Sequence, residues 1–361
     1  FKRMFAWAAF AFISLHSVNA EFVHPGALST QKDLDRIASK VAAGESPWIE
    51  SWDILVNNTN RFMQKDPEPQ EQINAGRGGG SENYMRLARA SAKAYQLALR
   101  YQISGESEYA DKAVEIFNAW TATHHAWGGD TNIRLRAGLY GYQFACAAEL
   151  LRDYPAWHSE DLKAFQNYLL TQFVPHNQDF LENRHGTVPD HYWANWVHAN
   201  MASLMAIGVF CDRRDLFDEG IGYFYNGPGN GNIRKAVNFI HPNGLGQWQE
   251  SGRDQGHTLL GPQLLGVICE IAWNQGVDLY GYDHNRFLAG VEYISKYNLG
   301  HEVPFVVYVR EWKHPGRSAL DINDVIDPRG RGALRSGWDM IYNHYVNRRG
   351  IAAPYTKAYA E

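Results

Sequence analysis

An all-α fold, a single toroid of stacked helical hairpins, is what this 361-residue sequence predicts. Three observations carry that expectation. Apolar residues recur at three- and four-residue spacing along most of the chain. The periodic segments come in pairs joined by short polar turns. Strand and helix patterns do not alternate, and no Gly-x-Gly-x-x-Gly occurs, which excludes a parallel sheet with crossover helices. No fixed repeat period and no shift in composition divides the chain, so residues 21–361 are expected to form one domain.

The elements follow in order. Helices are predicted over Lys32–Ala43 and Trp48–Phe62, then a loop over Lys65–Ser81 containing three consecutive glycines. Tyr84, Leu87, Ala88, Ser91, Ala94, Tyr95, Ala98 and Leu99 lie on one helical face, Gly105 ends that helix, and Tyr109–Trp120 answers it as a hairpin partner. Arg134–Arg152 pairs with Leu162–Phe173, and His191–Phe210 with Leu216–Tyr225. The turn NGPGNGN at 226–232 lacks the strand and the Lys-Ser/Thr of a phosphate loop and reads as a connector. A helix beginning near Gly252 and running to Trp273 comes next, then one over Asn285–Tyr297. Val303–Val309 favours a strand, Lys313–Arg331 a long polar loop, and Ala333–Arg348 a last helix.

Composition narrows the class of function. Apolar residues make up 45% and charged residues 20%, which is globular. A formal charge of -5 without a basic run argues against a nucleic-acid partner. The aromatic share of 14% suits either sugar stacking or a thick helical core. Lys2 and Arg3, the apolar run Met4–Leu15 and the small residues to Ala20 read as a secretory signal over residues 1–20. A secreted protein starting at Glu21 is expected, monomeric and without a membrane span. Asn57-Asn58-Thr59 is then a glycosylation acceptor in a eukaryotic source. Cys146, Cys211 and Cys269 each sit in an apolar helical setting and are expected as buried free thiols.

The densest chemistry lies in GLGQWQESGRDQGHTLLGPQL, residues 244–264. With a helix starting near Gly252, Arg253 and His257 are four apart and share a face. A guanidinium beside an imidazole, among carboxylates and amides, binds an anion and moves a proton. A second polar group, His191, Asn195 and His198, falls at i, i+4 and i+7 of the predicted 191–210 helix. Residues seven apart are separated by roughly 10 Å along a helix and cannot hold one ion, so neither a metal nor another cofactor is expected. His198 reads equally as a hydrogen-bonded core histidine, and Asn195, between Trp193 and Trp196, as a functional amide.

Five parts of the chain are distinctive: ALRYQISGESEYADKAVEIFNAW, ANWVHANMASLMAIGVFCDRRDLFDEGIGYF, QESGRDQGHTLLG with IAWNQGVDLYG, NRFLAGVEYISKYNLGHEVPF and WDMIYNHYVNRRG. They resemble the alginate lyase superfamily of polysaccharide lyases. The subgroup with a Gly-Arg-Asp-Gln-x-His signature is the most similar. The resemblance implies a toroid that cleaves an anionic uronate polysaccharide by β-elimination. It implies Asn195 and Arg253 as neutralisers of the substrate carboxylate, His257 as base, and Tyr308 as acid and, with a nearby Arg253 or Arg310 lowering its pKa, as base too. Substrate contacts are expected from His198, Gln249, Glu250, Gln255, Trp196, Tyr192 and Arg310. In the longer-known pattern of the family an Asn-Asn-His run precedes Tyr-Trp, and a tyrosine follows the arginine by two turns. Here Val188-Pro189-Asp190 and Leu260 hold those places, so the tyrosine must come from elsewhere, with Tyr192 and Tyr297 as rivals to Tyr308. Tyr342, Asn343 and His344 add polar groups near the C-terminus.

Two other classes compete. A helical-toroid glycoside hydrolase needs two carboxyl groups, for which Glu250, Asp254 and Asp190 are available. A non-catalytic sugar binder needs a surface row of aromatics and no proton-transfer set.

Overall fold

A computed structural model describes residues 21–361 except Pro315; the expected signal segment, 1–20, lies outside the described residues. The chain is a succession of antiparallel helical hairpins. Helices α1 (Gln31–Ala42) and α2 (Trp48–Phe62) lead to the short strand β1 (Gln72–Ala75). Helices α3 (Met85–Ser104) and α4 (Ser107–Thr123) form the next hairpin, closed at Gly105, whose φ of +74° only glycine adopts without strain. Strand β2 (Ala126–Gly129) pairs in parallel with β1. The chain continues through α5 (Asn132–Glu149), α6 (Ser159–Gln172), α7 (Val174–Asn183), α8 (Ala194–Phe210) and α9 (Arg214–Asn226).

Helix α8 is the axis of the packing. Every residue from Ala194 to Phe210 except Trp196 is buried, as expected for a helix apolar all round. It contacts α5, α7, α9 and α11 (Gln255–Asn274). The α5 crossing is close because Gly138 and Gly141 offer no side chain. A Cβ on Gly141 would fall 2.3 Å from Ser203 Oγ. The aromatic excess goes inward. Trp120, Trp248, Trp338, Tyr280, Tyr293 and Tyr345 are fully buried, each contributing on the order of 2–3 kcal/mol.

Between α9 and α11 lie a one-turn helix, α10 (Ile233–Ala236), and the antiparallel pair β3 (Val237–Ile240) and β4 (Gly246–Trp248). Helix α12 (Tyr282–Asn298) follows α11, with left-handed φ at Asp283, His284 and Asn285 before its regular part. A hairpin of β5 (Tyr308–His314) and β6 (Arg317–Asn323) pairs Tyr308 with Asn323, and α13 (Trp338–Tyr342), a π-helical turn at 343–348 and α14 (Pro354–Ala360) end the chain.

Several expected boundaries move. Helix α8 starts at Ala194, so His191 precedes it and the expected His191–Asn195–His198 stripe does not exist. Helix α11 starts at Gln255, with Asp254 as its N-cap, so Arg253 lies outside the helix. Helix α7 lies in a stretch for which the sequence analysis expects no element; its Pro175 is tolerated in the first turn, where the missing N–H is not needed. The expected polar loop 313–331 contains β6, and the expected helix 333–348 is regular only at 338–342. All three cysteines are free, Cys211 half-buried and the others buried. Thr59 is turned inside α2, its hydroxyl bonded to the carbonyls of Leu55 and Val56, which argues against Asn57 as a glycan acceptor. Among the described residues no helix is long and apolar enough to cross a membrane.

Candidate active site

Three segments meet at the N-terminus of α8: residues 191–195, residues 247–257 running from β4 into the start of α11, and the β5 strand. Trp248 anchors the middle one. Its ring fills the space over Gly261 of α11 and Gly290 of α12, where an added Cβ would fall 2.4 Å and 3.2 Å from indole atoms. From that anchor alternate residues reach one way. Gln247 donates to the carbonyl of Val306 and accepts from its N–H, both at 2.8 Å. Gln249 donates from Nε2 to the Tyr308 hydroxyl at 2.7 Å and accepts at Oε1 from the backbone N–H of Ala194 at 3.1 Å.

The neighbouring Glu250 caps the next helical N–H. Its Oε1 accepts from Asn195 N at 3.0 Å, a position favoured by the helix dipole, and its Oε2 from Arg253 Nη1 at 3.3 Å. Glu250 is fully buried, and that burial pushes its carboxyl up to about 7 against the pull of Arg253 and the Asn195 N–H. The side-chain oxygen of Asn195 is buried without a hydrogen-bond partner among the described residues.

Arg253 extends Nη2 to His257 Nε2 at 3.1 Å, while His257 Nδ1 faces Asp254 Oδ2 at 2.7 Å. A guanidinium only donates, so Nε2 is the acceptor and the ring proton sits on Nδ1. Burial, then the Arg253 charge, lowers the His257 pKa against Asp254, so the ring is neutral at neutral pH. Burial would raise Asp254, but its bonds from the His257 N–H groups and the charges of His257 and Arg253 outweigh it and hold it low.

Trp193, the N-cap residue of α8, is in contact with two cations: the Arg310 guanidinium is 3.8 Å from its ring centre and that of Arg253 5.0 Å. Arg310 is tied to Asp321 at 2.9 Å and to the carbonyl of His191. His191 accepts at Nδ1 from Lys313 N at 3.0 Å and stacks on Trp312, fastening the hairpin to the α8 lead-in. Burial pushes the Tyr308 hydroxyl up to about 12, outweighing the Gln249 donor and Arg310, so an arginine-lowered tyrosine, expected from the sequence, is not present.

The structure therefore brings His257, Arg253, Glu250, Asn195, Gln249, Tyr308 and Arg310 together and leaves four expected residues outside. His198 is fully buried, bonded at Nε2 to the Gly231 carbonyl at 3.0 Å and pushed down to about 4 by burial, which is the core reading. Gln255 is fully buried between the carbonyls of Ser251 and Asp327 and the amide of Asn298. Tyr192 and Trp196 pack on each other and on Phe180. His344 is buried against Tyr280, and the rival Tyr297 packs under Arg331. Trp193 and Asp254 are the members not assigned to this site from sequence. The Asp-x-x-His spacing at a helix start was the signal for Asp254; for Trp193 there was none. The carboxylates a hydrolase would use are engaged, Glu250 and Asp254 as above and Asp190 by Lys235 at 2.8 Å.

Hairpin helices around buried α8 form an α/α toroid, and the family match makes the chain a polysaccharide lyase. The chain belongs to the alginate lyase family, whose model, described as Alginate lyase, matches residues 50–304. Among solved structures it is similar to an alginate lyase from Bacteroides ovatus, with a TM-score of 0.59 and 16% identity over 76% of this chain and 83% of that one. It is also similar to alginate lyase A1-III from Sphingomonas species A1, with a TM-score of 0.57 and 14% identity over 94% and 93% of the two chains. A Tyr-to-Phe variant of A1-III complexed with a tetrasaccharide matches with a TM-score of 0.56 and 15% identity over 75% and 78%. No curated protein sequence matches the chain.

Proposed function

We propose that the protein cleaves a uronate polysaccharide, alginate in the first place and glucuronan as the alternative, by β-elimination. The carrying observation is the contact of the Arg253 guanidinium with the free lone pair of a neutral His257. The C5 proton of a uronate is weakly acidic until its carboxylate is neutralised. Arg253, with the Asn195 amide, is suited to that task, because charge-assisted hydrogen bonds strengthen as negative charge builds on the carboxylate. When Arg253 turns to the substrate it releases His257 Nε2, so neutraliser and base become available together. Asp254 supports the imidazolium that forms.

In the reaction His257 takes the C5 proton, the freed electron pair forms the C4–C5 double bond, and the C4–O4 bond breaks. Tyr308 gives its proton to the departing O4. A hydroxyl that burial keeps protonated up to about 12 supports the acid role for Tyr308 and, in this reading, leaves the base role to His257. Mannuronate and guluronate differ at C5, so dependence on His257 is expected to vary with the uronate cut. The same reading places a monomeric enzyme outside the cytoplasm, where such polymers occur, in keeping with the signal expected at residues 1–20.

The test is the ultraviolet absorbance of unsaturated uronate ends, followed on alginate, glucuronan and pectate. Tyr308→Phe is expected to lower the rate on every cleaved polymer by at least about 100-fold, within the range a positioned acid supplies. A well-folded Tyr308→Phe enzyme with near wild-type activity would remove Tyr308 from the mechanism. Absence of unsaturated product from the wild type on all three polymers would remove the substrate class.

A further inference from the structure

We propose that Gln249 is a positioning residue that sets the direction of the Tyr308 hydrogen bond and aims the phenolic proton away from the protein, toward the substrate. The inference rests on the reading of Tyr308 as the acid. It differs from the expectation that Gln249 binds substrate, because the side chain is only 1% exposed and both of its ends are engaged within the protein.

The argument is one of donors and acceptors. The backbone N–H of Ala194 only donates, so it holds the oxygen end of the Gln249 amide. The amide nitrogen must then face Tyr308, and its bond to the phenol is a donation to oxygen. A phenol that accepts from Gln249 keeps its own hydrogen for another acceptor. Ala194 N is fixed by the start of α8, Gln249 N donates to the Ala236 carbonyl at 2.8 Å, and Gln247 clamps Val306 two residues before Tyr308. The polarity of the pair is thus built into the backbone and does not depend on rotation of the amide. The same donor stabilises the phenolate left after the proton has moved to O4. The charged groups acting on the phenol are Glu250, Asp190 and Arg310, and none of them replaces that donor.

Gln249→Glu separates direction from shape. The carboxylate keeps the size of the side chain and the bond from Ala194 N–H, but it can only accept from Tyr308 and so draws the phenolic proton inward. Gln249→Met removes both hydrogen bonds and leaves the phenol free to turn. Measured at pH 9, where the introduced carboxylate is ionised, Gln249→Glu is expected to lose about 100-fold or more in kcat with KM changed less than about threefold. Gln249→Met is expected to lose about tenfold. The deficit of Gln249→Glu relative to wild type should narrow as pH is lowered and the new carboxyl gains a proton to donate.

A purely structural role predicts the opposite order, because Glu preserves the Ala194 contact and Met does not. Gln249→Glu as active as Gln249→Met, or more so, overturns the proposal, and so does an effect confined to KM. Circular dichroism of each variant establishes folding. If the Glu variant fails to fold, Gln249→Met decides, and unchanged kcat there overturns the proposal. Tyr308→Phe is measured alongside: near wild-type activity in that variant removes the acid assignment itself, whereas an inactive Tyr308→Phe with the wrong order of the Gln249 variants removes only the role given to Gln249.

Discussion

Replacing Glu250 by glutamine tests the electrostatics of the site through stability alone. Glu250 is fully buried, with one oxygen on the Asn195 N–H and the other on Arg253, and burial lifts its carboxyl from the ordinary 4.5 to about 7. The folded state therefore binds the proton more tightly than the unfolded chain. Its contribution is fully present below about pH 4.5 and is lost as pH rises through about 7. At about 1.4 kcal/mol per pH unit, the ionised form costs the fold about 3 kcal/mol above pH 8, of which about 2.5 kcal/mol develops between pH 5 and pH 8.5. Glutamine has no such dependence. With its oxygen on Arg253, however, its NH2 group faces the Asn195 N–H, a donor mismatch of about 1–3 kcal/mol at every pH. The expected result in urea unfolding is that the wild type leads at pH 5 and that its lead falls by about 2–3 kcal/mol by pH 8.5. Parallel stability curves for the two proteins, within about 0.5 kcal/mol over that range, would refute the argument and show Glu250 to be ordinarily ionised in the fold.

On the proposed mechanism, in which their bonds to the substrate carboxylate strengthen in the transition state, Arg253→Ala and Asn195→Ala are expected to lower kcat by more than they raise KM; a rise in KM alone would assign them to ordinary binding. Gly261→Ala is expected to destabilise the protein by about 1–3 kcal/mol, since its methyl group would fall 2.4 Å from the Trp248 ring, and denaturant unfolding checks it. The displaced Trp248 should also loosen Gln249 and Glu250, so activity should fall with stability, and an unchanged protein would contradict the anchoring role.

Most helices were legible in the sequence because a buried stripe must repeat every three to four residues wherever a helix packs on a core. The regular parts of α1 to α6, α8, α9, α11 and α12 answer to that pattern. The residues 249–257 stood out by density of functional groups, and Arg253 and His257 do touch, although through an N-cap turn and not along a helical face. What failed was local. The ends of α8 and α11 are set by which backbone N–H groups find a cap, and for α8 the caps are Gln249 and Glu250, more than fifty residues away. The sequence alone determined a helical toroid and the segment proposed to carry its chemistry, because both follow from spacing along the chain. Tertiary structure alone decided that His198 and Gln255 are buried, that Trp193 meets both Arg253 and Arg310, and that Gln249 faces Tyr308. Those facts depend on contacts between segments distant in the chain, and hydrophobic periodicity carries no information about which polar ends will meet.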